Sequence, residues 1–144
     1  MFSRLNVISK YCYRPSVGLF IIRVATGLIF IHHGWTKFLN VDGTISFMGN
    51  LGIPEPLAYL AMIIEVIGGL MLVFGFMTRA AAVATGIVAL VAAGVAVIPS
   101  RGILSAEFEL LLAAVSFGIA FAGTGRIRIA HLFEHDQHAS RATE

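Results

Sequence analysis

From Val17 onward the chain alternates long apolar stretches with short polar ones. The first stretch, Val17 to about Leu39, opens as VGLFIIRVATGLIFI and closes in the polar, aromatic HHGWTKF. Leu57 to Ile98 is almost continuously apolar. Those 42 residues would make one helix of about 63 Å, twice the hydrocarbon thickness of a bilayer, so the run must fold back. Its polar interruption is Thr78-Arg79, after Gly75, which predicts a tight turn there. A last apolar run follows Pro99-Ser100-Arg101-Gly102 and reaches about Ala122, where Gly123-Thr124-Gly125 stops it. The pattern predicts four membrane-spanning helices at about 17–39, 57–77, 80–98 and 104–122.

The connection 40–56 carries Phe47, Met48, Leu51 and Ile53, too apolar for a solvated loop. It reads as a short amphipathic segment resting on the bundle, ended by Pro54 and Pro56. Residues 1–16 place Phe2, Leu5, Ile8 and Cys12 at helical spacing beside Arg4, Lys10 and Arg14. That pattern predicts an interfacial N-terminal segment, broken by Pro15. No cleavable signal peptide is expected, because the first apolar run holds Arg23 and continues without an Ala-x-Ala-like site. Residues 126–144 form a polar tail in which His131, His135 and His138 share a helical spacing. They are read as exposed side chains rather than metal ligands.

Composition agrees with a bilayer as solvent. Of 144 residues 58% are apolar and 12% charged, and the mean hydropathy is +0.88. Soluble domains carry about 25% charge, and disordered chains more. A net charge of +2 argues against nucleic-acid binding. The lone Cys12 excludes a disulfide within the chain. Four spans put both termini on one side, with Arg4, Lys10, Arg14, Arg79, Arg126, Arg128 and Arg141; Lys37 and Arg101 fall on the other. Basic residues gather on the cytoplasmic side, so both termini are expected there. The fold class is therefore an all-α polytopic four-helix bundle.

In span three, Ala82, Gly86, Ala89 and Ala93 make a stripe of small residues that lets helices approach closely; Gly68 and Gly69 in span two have the same reading. The informative residues are ionisable groups inside apolar spans, each costing about 2.5–3.5 kcal/mol at a helix centre. They are Arg23, His32 and His33 in span one, Glu65 in span two, and Glu107 and Glu109 in span four. At a rise of 1.5 Å per residue, Arg23 lies about 9 Å from the cytoplasmic edge. Glu65 lies at about 18 Å, Glu109 at 20 Å, Glu107 at 22 Å and His33 at 24 Å. Three helices thus bring His33, Glu65 and a span-four glutamate to one layer. Glu107 and Glu109 are about 200° apart, so one faces the bundle and the other does not. His32 and His33 divide in the same way. Lys37 is expected to snorkel to headgroups, and Arg23 to reach toward Glu65 or snorkel inward. The layer is either a polar clamp that fixes helix register or a proton- or ligand-binding pocket. No metal-ligand spacing recurs in it.

Arg23 with Gly27-Leu28-Ile29-Phe30, His33-Gly34-Trp35-Thr36-Lys37, Glu65-Val66-Ile67-Gly68-Gly69, Gly75, Thr78-Arg79, Glu107 and Gly123-Thr124-Gly125-Arg126 stand in a fixed order. In that order and spacing, over about residues 17–130, the chain resembles the DoxX family of small bacterial membrane proteins. The short connection at 99–102 and the histidine-bearing tail depart from many relatives. The resemblance selects His33 over His32 and Glu107 over Glu109. It implies a four-helix protein of the bacterial inner membrane, with some relatives tied to quinone-linked sulfur oxidation or to membrane redox complexes.

The leading expectation is a membrane subunit of a redox or stress-response system. His33, Glu65 and Glu107 would bind a quinone head group or similar small ligand, with Arg23 balancing charge and His32, Lys37 and Glu109 as secondary candidates. The sequence has no CxxC pair, no opposed haem-ligand histidines and no nucleotide-binding glycine loop. Electron transfer would therefore use a bound cofactor or a membrane or peripheral redox partner. The alternatives are a non-catalytic assembly factor whose span-three stripe binds other helices, and a small transporter component that works as a homo-oligomer.

Overall fold

A computed structural model describes residues 15–125 of the chain. Helix α1 runs Pro15–Leu39. Pro15 lies in its first turn, where the fixed proline φ suits a helix. The short α2, Val41–Asn50, is capped by Asn40, whose side chain accepts a 3.2 Å hydrogen bond from Gly43 N–H. It buries none of its residues and lies across one end of the bundle. Pro54 then leads into α3, Glu55–Phe74.

Helix α3 ends at Gly75, which adopts φ 76° while its N–H returns to Met71 O at 2.9 Å. This left-handed stop falls three residues before the turn expected at Thr78-Arg79. Met77 also takes positive φ, at 41°. The chain has therefore reversed before Thr78, the first residue of α4, Thr78–Val91. The third span also ends later than expected. A π-helical segment, Ala92–Val97, continues α4 into the short α5, Ile98–Arg101. Wider winding comes immediately before Pro99, whose ring cannot share a regular α-turn with the carbonyl four residues back. The break comes at Gly102, φ 84°. A 3₁₀ turn, Ile103–Ala106, leads into α6, Glu107–Ala122.

Four helical segments are long and apolar enough to cross a membrane: Pro15–Leu39, Glu55–Phe74, Thr78–Arg101 and Ile103–Ala122. Helix α1 packs mainly along α3, and α4 along α6, with α3 against α4 joining the pairs. Gly27 and Gly69 set the first contact. A Cβ at Gly27 would lie 2.6 Å from Gly69 O, and one at Gly69 would lie 2.7 Å from Gly27 O. The Ala82, Gly86, Ala89 and Ala93 stripe is buried inside the molecule. A Cβ at Gly86 would meet Ser116 and Phe117 of α6 at 3.2 Å. The stripe is thus a packing seam for the chain's own fourth span, and not a face left open for other helices as the assembly-factor alternative supposes. Outward-facing Ile21, Leu28, Ile67, Ile87, Leu111 and Phe121 are exposed on the bundle surface, as lipid contact requires.

The two ends of the described segment meet. Arg23 donates from Nη1 to Thr124 O at 2.5 Å, and a Cβ at Gly125 would lie 3.2 Å from Leu19 Cδ2. Residues 1–14 and 126–144, which hold Cys12 and the tail histidines, lie outside the described residues.

Candidate functional site

Helix α1 carries His33 and Lys37 four residues apart, hence on one face. That face meets α3 at Glu65. The close approach depends on Gly34, where a Cβ would lie 2.6 Å from Val66 Cγ2 and 2.9 Å from Glu65 Cβ. Lys37 Nζ donates to Glu65 Oε1 at 2.5 Å and to Oε2 at 2.7 Å. The Glu65 side chain is 6% exposed and that of Lys37 25%. An unpaired carboxylate at that depth would be costly, and the ammonium neutralises it.

His33 Nδ1 lies 2.9 Å from Ile29 O. A carbonyl can only accept, so Nδ1 carries a proton. The ring stacks on Phe108 of α6, with centroids 5.5 Å apart and planes at 22°. His32 stands edge-on to His33 at 6.0 Å and is exposed.

His33, Lys37, Glu65 and Phe108, but not His32, line a cavity of about 960 Å³ beneath α2. Its walls are mainly apolar, with Phe47 and Met48 from α2, Leu60 and Ile64 from α3, Val88 from α4 and Leu112 from α6. Glu109 also lines it. Small-molecule sites share this volume and this mixture of apolar wall and few polar groups. Glu109 Oε2 is buried and has no hydrogen-bond partner among the described residues.

The geometry changes the expected set in two places. Glu109 lines the cavity, whereas Glu107 is exposed and does not. Glu109 lies on the bundle-facing stripe with Leu112, Ala113 and Ser116, all buried, at i, i+3, i+4 and i+7. That periodicity was available in the sequence. Lys37, expected at the headgroups, is the partner of Glu65, and Arg23 is not. Side chains on a helix lean toward its N-terminus. That lean brings the Lys37 ammonium back over the turn of His33. It carries the Arg23 guanidinium away from Glu65, to Thr124 O and against Gly75, where a Cβ would lie 2.9 Å from Nη1. Fourteen residues, about 21 Å of helix, separate Arg23 from Lys37. Among the described residues no group of three His, Cys, Asp or Glu side chains could hold a metal ion.

The DoxX family pattern matches residues 18–98, more than half of the chain. "Putative oxidoreductase CatD" of Bacillus subtilis (strain 168) is 36% identical over 108 residues, covering 75% of this chain and 81% of that protein. "Inner membrane protein YphA" of Escherichia coli (strain K12) is 44% identical over 72 residues, 49% of this chain and 51% of its own length. "Inner membrane protein YqjF" of the same organism is 36% identical over 69 residues, 48% of this chain and 53% of its own length. No solved structure matches. With four helices able to span a bilayer and a family match across the first three of them, the chain is a membrane protein and belongs to the DoxX family.

Proposed function

We propose that this protein is an inner-membrane subunit of a redox or stress-response system, and that it binds a quinone-type head group in the cavity beneath α2. One observation carries the reading. A buried Lys37–Glu65 pair, the His33 ring and the carboxyl of Glu109 all line one apolar cavity of about 960 Å³. A clamp that only fixed helix register would gain nothing from an adjoining cavity or from a carboxyl oxygen without a partner. Aliphatic walls suit a ring and the first part of its tail, and the polar groups suit the ring oxygens. The oxidoreductase designation of the Bacillus relative supports the redox setting, and the names of the Escherichia relatives support the inner membrane. Electrons would come from, or pass to, a partner redox protein or a bound cofactor.

In this reading both chain ends are cytoplasmic and the cavity lies in the outer half of the bilayer, because Arg79 stands at the opposite end of the bundle, beside Gly123. Titration of the full chain in lipid nanodiscs with a decyl-tailed benzoquinone and its quinol, followed by calorimetry, tests the proposal. At least one of the two should bind saturably. Ala61→Trp, which puts an indole into the cavity wall, should weaken that binding at least tenfold while the protein stays monodisperse. Absence of saturable binding of either compound would reject the reading.

A further inference from the structure

We infer that the hydrocarbon tail of the cavity's ligand leaves through a lateral mouth between α3 and α4, so that the site takes its ligand from the bilayer rather than from water. The inference rests on the proposed ligand-binding role of this cavity and adds a tail subsite and a route of entry.

The mouth follows from how α3 and α4 part. Their turn at Gly75 holds them together at one end. They approach closely at Gly68, where a Cβ would lie 2.7 Å from Thr85 Cγ2. Beyond that contact both helices border the cavity, with Leu57, Leu60 and Ile64 on α3 and Ile87, Val88 and Val91 on α4. Leu60 lies about 12 Å along α3 from Gly68, and Val91 about 9 Å along α4 from Thr85. The two aliphatic edges thus stand at similar heights on either side of the same space. Leu60 is also five residues, about 8 Å, inside the start of α3, within the apolar thickness of a bilayer.

The four spans form a ring, with α1 on α3, α3 on α4, α4 on α6 and α6 on α1. Helices α1 and α6 therefore lie across the cavity from the gap between α3 and α4. They supply the His33 and Phe108 rings, Lys37 and Glu109. Among the described residues no further helix stands in front of the gap. Leu57, Leu60, Ile87 and Val91 line the cavity and are 47–53% exposed, so they form its rim. Phe30 and Leu112, on the opposite wall, are buried. The end of the cavity is different in chemistry, since Asn40, Thr44, Ser100 and Arg101 line it there. A ring held by the polar groups of α1 and α6 can pass its tail into lipid between the aliphatic edges without crossing a polar side chain. A tail directed past Asn40, Thr44 and Arg101 would desolvate groups to which it offers no hydrogen bond. The continuity of this mouth with the ligand cavity names its occupant as the tail of that ligand.

The test uses the full chain in lipid nanodiscs and a decyl-tailed benzoquinone with a photoactivatable diazirine at the third tail carbon. After illumination, peptide mass spectrometry should find the label on Leu57–Ile64 or Ile87–Val91. Excess untagged compound should suppress that label at least fivefold. Leu60→Trp combined with Val91→Trp fills the mouth from both edges and should lower the labelling at least fivefold in a protein that stays monodisperse. Unchanged rim labelling in that folded double variant would overturn the mouth as the tail's route. Rim labelling that the untagged compound does not suppress would assign the mouth to ordinary lipid chains and overturn the inference. Saturable binding by calorimetry with suppressible label only on α2 or α6, or with none, would overturn the inference and leave the ligand site standing. Absence of both saturable binding and suppressible label would reject the ligand site itself, and the inference with it.

Discussion

Lys37 and Glu65 bind each other through both carboxylate oxygens, and the helices that carry them touch at Gly34 only one turn away. Taking one partner away strands the other. Lys37→Met should lower stability by roughly 2–4 kcal/mol, somewhat below the usual value for a fully buried pair because the lysine is partly exposed. Lys37→Met combined with Glu65→Leu should recover most of that loss, since two apolar side chains strand no charge. Thermal unfolding in detergent, followed by circular dichroism, measures both. A double variant no more stable than Lys37→Met would contradict the pairing. The ionisable residues themselves are legible in the sequence, since a charge in an apolar run stands out. Their partners are less so. Depth along a helix axis ranks residues by Cα position, but Lys37 and Arg23 act through heads displaced toward the helix N-terminus by several ångströms. That displacement exchanges their roles. Glu109 is a different case: its register with Leu112, Ala113 and Ser116 was readable, and the periodicity of the stripe decides between the two glutamates.

At the level of elements, α1 and α3 are held by an exchange of close contacts at Gly27 and Gly69 rather than by bulky interdigitation. Such a crossing leaves no room for a side chain on either helix. Gly69→Ala should cost about 1–3 kcal/mol through overpacking, visible as a lower midpoint in the same thermal assay. Gly118→Ala, at a site with nothing within 4 Å of the new Cβ, should leave the midpoint unchanged. Equal effects at the two positions would contradict the crossing. The elements were legible as hydrophobic runs, and the amphipathic α2 was foreshadowed by Phe47 and Met48. Their ends were less legible. Gly75 stops α3 by adopting a left-handed conformation, which no polar residue signals. Pro99 does not end the third span, because the π-helical winding of Ala92–Val97 carries the chain past it to Gly102. That winding has a consequence for the cavity, since Ala92, Ala96 and Val97 form part of its wall.

Across the whole molecule the two ends of the bundle differ. At one end Arg23 and Arg79 pack against the glycines that terminate α3 and α6, Gly75 and Gly123. Cations at helix C-termini are favourable there. The chain ends of the described segment meet beside them. At the other end the helices border a half-open cavity beside α2, and polar residues of α1, α2, α3, α5 and α6 line it. The number of spans follows from bilayer thickness and the length of the apolar runs. Which spans pair does not, because lipid-facing and bundle-facing surfaces are both apolar and only small residues mark the seams. The stripe from Ala82 to Ala93 identified a seam without naming α6 as its partner. The central claim is that the cavity holds a ring-bearing lipid-soluble ligand. Mass spectrometry of organic extracts from the gently purified full chain tests it most directly, with Ala61→Trp processed in parallel. The account predicts a quinone or quinol retained in near-stoichiometric amount by the wild type and depleted at least fivefold in a folded Ala61→Trp protein. Equal and trace amounts of such compounds in both samples would contradict it.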